Sequence, residues 1–234
     1  MNAQSTFGHD RATAGLLPPA SQYRRVADQL RTDILEGLWR PDMRLKVRDL
    51  AAHYGVSPAP IRESLQQLQG EGLVVMEPNR GARVRPIDEQ LVVNIFDVRE
   101  ALESFLTAKF ADNASPHQMS LLDALQAEHD AAVERDDFPA AFALNGRFHH
   151  MINSAARNPE ALGVIERHLG LTRALRVEYG FTPARMRTIG REHHQLLDAL
   201  RRGDVAQARH IAALHVRSSR DDLLDRLRTT ATTR

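Results

Sequence analysis

Three histidines are spaced so that they could meet in one metal site. Asn145 and His149 lie four residues apart, which puts them on the same face of a helix. His193 precedes Gly203 by 10 residues and His215 follows it by 12, so two antiparallel helices turning at Gly203 would bring these histidines roughly opposite each other. Three imidazoles with one oxygen donor suit zinc, nickel or another borderline divalent metal. Buried, hydrogen-bonded histidines without a metal fit the same spacing.

The residues around these histidines argue against catalysis. His150 and His194 point about 100° away from their sequence neighbours on a helix and are poor ligand candidates. A three-histidine metal could activate water, but the adjacent carboxylate, Glu192, is expected to point elsewhere on its helix. The chain has no cysteine, nucleophile elbow, phosphate loop or dinucleotide fingerprint. The sequence therefore predicts a protein that is not an enzyme, with a metal-dependent hydrolase as the alternative.

A second chemical feature is the segment GVSPAPIRESLQQL, residues 55–68, which places two prolines at the start of a helix. With Ser57 as N-cap, Pro58 and Pro60 both fall in the first turn, whose N–H groups have no partner within the helix. A start at Pro60 is the alternative, because a residue before proline, here Ala59, resists the helical conformation. In either case the first turn is stiff, which favours presentation to another surface.

The elements around this segment predict a winged helix-turn-helix that binds DNA. Ser57 offers its hydroxyl and N–H to a phosphate, while Arg62, one turn later, can reach a phosphate or a guanine edge. The chemically plainer alternative is a helical hairpin whose arginines are merely solvated. The expected elements are helices at 22–36, 47–54 and from 57, then strands at 73–76 and 82–85 around a turn at 77–81, with Val84 inward and Arg83 and Arg85 outward.

The rest of the chain predicts an all-α antiparallel bundle, so the protein is mainly α. Pro, Asp and Gly punctuation separates six helices, at 88–112, 116–135, 137–157, 159–179, 183–202 and 204–228. We therefore expect a flexible tail at 1–20, a DNA-binding domain at 21–86 and a helical domain at 87–228. Residues 21–86 carry 11 Lys and Arg against 8 Asp and Glu, a mildly basic balance. No long apolar run or leader occurs, so we expect a cytoplasmic protein without a membrane segment.

The N-terminal third resembles the DNA-binding domain of GntR-type bacterial transcription regulators over about 65 residues. The matching stretches are RL at 44–45, DLA at 49–51, GVS at 55–57, PIRESL at 60–65, EGLV at 71–74 and RG at 80–81. The resemblance implies that a basic residue, the recognition-helix turn and the wing contact operator DNA: Arg48, Ser57, Ala59, Pro60, Arg62, Arg80 and Gly81. Pro58 stands where that family usually has a basic residue, so one DNA contact is lost and we expect a different operator.

The remainder resembles the FCD effector domain of the FadR subfamily over residues 88–220. The resemblance lies in NGRFH at 145–149, EH at 192–193, LLDAL at 196–200, GD at 203–204 and His215. It implies a divalent metal, zinc or nickel, that helps to hold a small carboxylate effector. The oxygen ligand is commonly Asp, and the neutral Asn145 is a weaker ligand. Six helices rather than seven place the chain nearer the VanR-like branch.

The arginines of this domain are the candidates for the effector carboxylate. The resemblance assigns Arg99 to it, and Arg173 or Arg176 in the bundle supports the same chemistry. An exposed ion pair of Arg99 with Glu103, four residues later, is an equal alternative.

The recognition mode predicts a homodimer on a palindromic operator. The resemblance implies a repressor, released when a carboxylate effector shifts the bundle through residues 86–88. A DNA-binding dimer without effector or metal, in which the bundle only dimerises, is the competing hypothesis.

Overall fold

The computed structural model describes residues 19–78, 80–86 and 88–233. The predicted tail at 1–20 lies almost wholly outside these residues, although Pro19 and Ala20 already belong to the first helix. The N-terminal elements are α1 (Pro19–Leu35), β1 (Arg44–Leu45), α2 (Val47–Tyr54), α3 (Pro58–Gly70), β2 (Val74–Glu77) and β3 (Gly81–Val84).

The winged helix-turn-helix is confirmed, with one strand more than the sequence predicts. β1 pairs with β3 and β3 pairs with β2, both antiparallel, which gives the order β1-β3-β2. The two residues of β1 are too few for an alternation pattern to be visible in the sequence. Val84 is buried as predicted, and it lies in one core with Ile61, Leu65 and Leu68 of α3.

The helix α3 begins at Pro58, with Ser57 as its N-cap in an extended conformation. The alternative start at Pro60 is therefore wrong. Both prolines lie in the first turn, where the helix lacks N–H partners in any case, so neither removes a helical hydrogen bond. Gly55 has a φ of 63° and terminates α2 in the left-handed conformation that glycine adopts without strain.

The predicted six-helix bundle is confirmed. Its helices are α4 (Glu89–Ala111), α5 (Pro116–Glu134), α6 (Phe138–Ala155), α7 (Pro159–Tyr179), α8 (Pro183–Arg201) and α9 (Val205–Thr233). The N-caps Ser115, Asp137, Asn158 and Thr182 each accept a hydrogen bond from a first-turn N–H, which explains why the helices start where the punctuation indicates. The helix α9 runs past the predicted end at residue 228.

Within the described ranges, every helix is too short or too polar to cross a bilayer.

Candidate functional site

Three imidazoles from three different helices meet inside the bundle. The Nε2 atom of His149, on α6, lies 3.0 Å from Nε2 of His215, on α9, and 3.3 Å from Nε2 of His193, on α8. His193 and His215 are buried, and the side chain of His149 is only 11% exposed. The ring of His193 also stacks on Phe148, with 4.2 Å between centroids and 9° between planes, which fixes its orientation. The structure therefore brings the three predicted histidines together.

The Nδ1 atoms of these histidines face acceptors that set the tautomers. His193 Nδ1 donates to Oε1 of Gln126 on α5 at 2.8 Å, and His215 Nδ1 donates to Oε2 of Glu192 at 2.7 Å. These oxygens can only accept, so Nε2 of both rings carries a lone pair. His149 Nδ1 lies 3.7 Å from Oε2 of Glu103, whose charge favours the proton on that side of the ring.

This arrangement keeps the histidines neutral. Burial lowers the pKa of His149 below its ordinary value, and nearby Glu103 only partly opposes the effect. Burial lowers the pKa of His193 and His215 well below the ordinary value, and the neighbouring imidazoles and Arg185 lower it further. The Nε2 lone pairs of His193 and His215 face Nε2 of His149, which can donate a hydrogen bond to one of them or, with its proton on Nδ1, join them in binding a divalent cation. The donor set thus fits the metal that the histidine spacing predicts.

Asn145 lies one helical turn before His149 on α6. Its Oδ1 atom is buried and has no hydrogen-bond partner among the described residues. A buried, unpaired carbonyl oxygen costs free energy unless water, an ion or a ligand satisfies it. The oxygen therefore fits the predicted fourth donor, although the structure gives it no contact with the three rings.

Two buried ion pairs lie beside the histidines, and a third joins α7 to α9. Arg99 Nε donates to Glu103 Oε1 at 2.8 Å, so the predicted pair exists but is buried rather than exposed. Arg185 Nη1 lies 2.7 Å from Glu192 Oε2. The third pair joins Arg176 Nη1 on α7 to Asp222 Oδ2 on α9, at 2.6 Å.

The candidate effector arginines differ in position. Arg99 is buried and also donates from Nη1 to Thr172 Oγ1 at 3.3 Å. Arg173 is exposed on α7, so the structure does not bring it into the bundle interior. Arg176 and Arg185 are the buried arginines of α7 and α8.

Several residues of the site were missed by the sequence analysis. Glu192 does not point away from the site as expected, because it bridges His215 and Arg185. Gln126 and Arg185 have no spacing signal relative to the histidines, since they come from other turns and helices. A search for hydrogen-bond acceptors on the neighbouring helices could have suggested Gln126. The sequence could not show that Gln126 contacts His193.

The DNA-binding candidates divide into exposed and buried residues. The side chain of Arg48, on α2, is 97% exposed. Ser57, Ala59 and Arg62, at the start of α3, are also exposed. The Ser57 hydroxyl makes no capping bond to the helix. Pro60 is buried, and its carbonyl accepts from Ser64 Oγ at 2.8 Å. Its ring therefore stiffens the turn from within and is not available to DNA.

The wing, β2 and β3 with the turn between them, carries Gly81 and the exposed Arg80. The fold itself requires a glycine at position 81. Arg80 is exposed at the turn, while its carbonyl accepts from Arg44 Nε at 3.2 Å. Gly81 has a φ of 90°, and an added Cβ would overlap the carbonyl oxygen of Leu45 in β1. Of the arginines expected to point outward, Arg83 is half-exposed but bonded to Glu77 at 2.9 Å, so it is not free for DNA.

The two halves of the molecule touch at α7. Leu171 packs against the core of the winged helix-turn-helix and also against the core formed by α4, α7 and α9. The expected connection at residues 86–88 lies partly outside the described residues, since Ile87 is not among them.

Comparisons with known proteins agree with this architecture. Residues 22–84 match the bacterial regulatory proteins of the gntR family, and residues 94–218 match the FCD domain. The chain is 31% identical over 216 residues to an HTH-type transcriptional regulator "in unstable DNA locus" of Streptomyces ambofaciens, covering 86% of this chain and 84% of that protein. It is 26% identical over 205 residues to a probable D-xylose utilization operon transcriptional repressor of Paenarthrobacter nicotinovorans, covering 88% and 90%.

A solved structure supports the same fold. Escherichia coli McbR/YncC superposes with a TM-score of 0.68 at 24% identity, covering 88% of this chain and 98% of that one. The matched proteins are transcription regulators and not enzymes, which confirms the sequence prediction and removes the hydrolase alternative.

Proposed function

Since the chain belongs to the GntR family of bacterial DNA-binding transcription regulators and carries an FCD domain, we propose that it is a metal-dependent, effector-controlled repressor. A small carboxylate bound at a metal site in the helical bundle would control its affinity for operator DNA. Repression is supported by a relative that is named a transcriptional repressor.

One observation carries the metal part of the proposal. The Nε2 atom of His149 lies 3.0 Å from that of His215 and 3.3 Å from that of His193, while partners on the other side hold the Nδ1 protons of His193 and His215. Neutral imidazoles oriented by second partners are what a zinc or nickel ion requires of its protein ligands. The metal, when bound, would supply positive charge and open coordination positions for a ligand oxygen.

The charges around the site support an anionic effector. Each buried arginine there is already paired with a carboxylate, so the protein's own charges cancel. A divalent cation among neutral ligands therefore leaves positive charge in a buried place, which an anion would neutralise. Arg99, held between Glu103 and Thr172, is the arginine we propose for the effector carboxylate.

The DNA part of the proposal uses the exposed residues Arg48, Ser57, Ala59, Arg62 and Arg80. Ser57 and the N-terminus of α3 are proposed to bind phosphate, and Arg62 to reach a phosphate or a guanine edge. Since one such domain makes few contacts, a homodimer on a palindromic operator would double them. Leu171 and Thr172 on α7 offer a route by which Arg99 could influence the winged helix-turn-helix.

The metal content of the protein, purified without a histidine tag, tests this function. We expect about one zinc or nickel ion per chain by plasma mass spectrometry after incubation with either metal. The His149→Ala/His193→Ala double variant should lose it. The His150→Ala/His194→Ala variant is the matched control, because these neighbours have side chains 61% and 59% exposed and should leave the metal content unchanged. Equal metal content in both variants would refute the site.

A further inference from the structure

The amide group of Gln126 has two orientations with opposite consequences for His193. With Oε1 toward the ring, as in the structure, the amide accepts from His193 Nδ1 at 2.8 Å and leaves the Nε2 lone pair free for a metal. Turned by half a rotation, the amide would donate from its nitrogen to Nδ1, and the ring proton would then lie on Nε2. That tautomer presents an N–H group to the site and cannot bind a metal.

Asp130 decides between these two orientations. It lies one helical turn after Gln126 on α5, and its Oδ1 atom accepts a hydrogen bond from Gln126 Nε2 at 2.7 Å. A carboxylate accepts hydrogen bonds but cannot donate one, so only the NH2 group of the amide can face it. The amide oxygen is thereby directed to the other side, toward His193. The charge of Asp130 thus selects the amide orientation that suits a metal.

The surroundings of Asp130 hold its carboxylate in place. Nε2 of His194 donates to Oδ2 at 2.8 Å, at a position where the side chains of Asp130 and His194 are 35% and 59% exposed. His129 Nδ1 lies 3.7 Å from Oδ1, beyond hydrogen-bond distance, so it does not compete for this oxygen. Gly190 on α8 leaves the necessary space, because a Cβ there would lie 2.9 Å from Oδ1. A partly exposed carboxylate thus reaches the bundle interior where α5 packs on α8.

From these contacts we infer that Asp130 is a positioning residue, which fixes through Gln126 the tautomer of His193 that binds metal. The inference rests on the proposed metal site only in its last step, because the tautomer is a property of the metal-free protein. Gln126 alone is free to adopt either orientation, since each makes one hydrogen bond to a suitable tautomer of the ring. Asp130 leaves one of them and so prepares the ring for the metal.

The tautomer of His193 in the metal-free protein tests the inference. Nuclear magnetic resonance of protein labelled with ¹⁵N in its histidines distinguishes a protonated ring nitrogen from one with a lone pair, and a His193→Ala spectrum assigns the signals. We expect wild-type His193 to carry its proton on Nδ1. Asp130→Ala removes the acceptor but keeps Gln126, so a second population with the proton on Nε2 should appear.

Asp123→Ala is the matched control, because Asp123 also joins α5 to α8, but through an ion pair with Arg201 instead of through Gln126. It should keep the wild-type tautomer. Circular dichroism checks that each variant keeps its helical content.

Zinc affinity, measured by competition with a zinc-binding dye, reports whether the tautomer matters to the metal. It should fall by about twofold or more in Asp130→Ala, since a ring with equally populated tautomers presents its lone pair half of the time. If Asp130 acts through Gln126, the Asp130→Ala change should have no further effect on zinc affinity in a Gln126→Ala background.

The outcomes distinguish the inference from the proposed function. The inference is wrong if wild-type His193 carries its proton on Nε2, if Asp130→Ala keeps the wild-type tautomer, or if Asp123→Ala shifts it equally. It is also wrong if Asp130→Ala lowers zinc affinity by the same factor with and without Gln126. If the tautomer shifts as expected but the wild type binds no zinc, Asp130 orients the ring as inferred and the metal site of the proposed function fails.

Discussion

The side chain of Leu171 lies directly beside Gly72, so that a Cβ on this glycine would be 3.2 Å from Leu171 Cδ1. Gly72 has a φ of 80° and joins the end of α3 to β2. Leu171 belongs to the bundle, and its neighbour Thr172 accepts a hydrogen bond from Arg99. The end of the recognition helix and Arg99 thus contact adjacent residues of α7.

Replacing Leu171 by alanine should loosen this contact between the domains. Because Leu171 packs on both cores but is only partly buried, we expect a loss of about 1–2 kcal/mol in the free energy of unfolding. Urea denaturation followed by circular dichroism measures it. Val164→Ala, on an exposed part of the same helix, should change stability by less than about 0.5 kcal/mol. Equal effects of the two variants would show that α7 does not join the domains.

Removing the side chain of Arg62 should weaken operator binding without changing stability, because Arg62 is exposed on α3. We expect a loss of about 1–3 kcal/mol in binding free energy. Fluorescence anisotropy measures it on a duplex first enriched from a random library with the wild type. Arg209→Ala removes the same charge from an exposed position on α9 and serves as the control. A loss as large in Arg209→Ala would indicate a general charge effect instead of a contact at α3.

The Glu192→Gln variant should bind metal more weakly by about 10–100-fold, because it removes the charge that orients His215 and pairs with Arg185. Competition with a zinc-binding dye measures the affinity. Glu128→Gln, with a side chain 59% exposed on α5, is the matched control and should not change it. Unchanged zinc affinity in Glu192→Gln would mean that this carboxylate does not orient a ligand.

The metal-free protein should lose stability in mild acid. The three site histidines have native pKa values below 6.5, so the unfolded chain binds more protons than the native one as the pH falls below that value. Stability therefore rises with pH up to about 6.5 and is lost below it, by up to about 1.4 kcal/mol per pH unit and histidine. Urea unfolding between pH 7.5 and 5.5 measures the slope.

Variants assign this slope to the site. The His149→Ala/His193→Ala variant should show a shallower dependence on pH, and His150→Ala, exposed on the same helix, should keep the wild-type dependence. A slope that is the same in all three proteins would place its origin outside the three-histidine cluster.

Capping residues, helix-breaking residues and apolar periodicity were enough to predict most of the fold. The six bundle helices and the start of α3 follow from capping residues and prolines, whose effects are local and therefore visible in the sequence. The convergence of His193 and His215 was also predictable, since their similar distances from the Gly203 turn place them opposite each other in a helical hairpin.

The parts that could not be predicted depend on long-range packing. The two-residue β1 exists because it pairs with β3, and Gln126 reaches His193 from a helix 67 residues away in the chain. The burial of Arg99 and the exposure of Arg173 depend on how α4 and α7 pack, which no local spacing encodes. The resemblance assigns Pro60 to the DNA surface because residues 60–65 match the recognition helix of the family. The ring of Pro60 is nevertheless buried.

X-ray absorption spectroscopy of the zinc-loaded protein tests the central claim most directly, because it reports the type of atoms bound to the metal. The account predicts imidazole scattering from three histidines at about 2.0–2.1 Å, lost in His149→Ala/His193→Ala. A spectrum with fewer than two imidazole ligands, or one that is unchanged in the double variant, would contradict a metal centre formed by His149, His193 and His215.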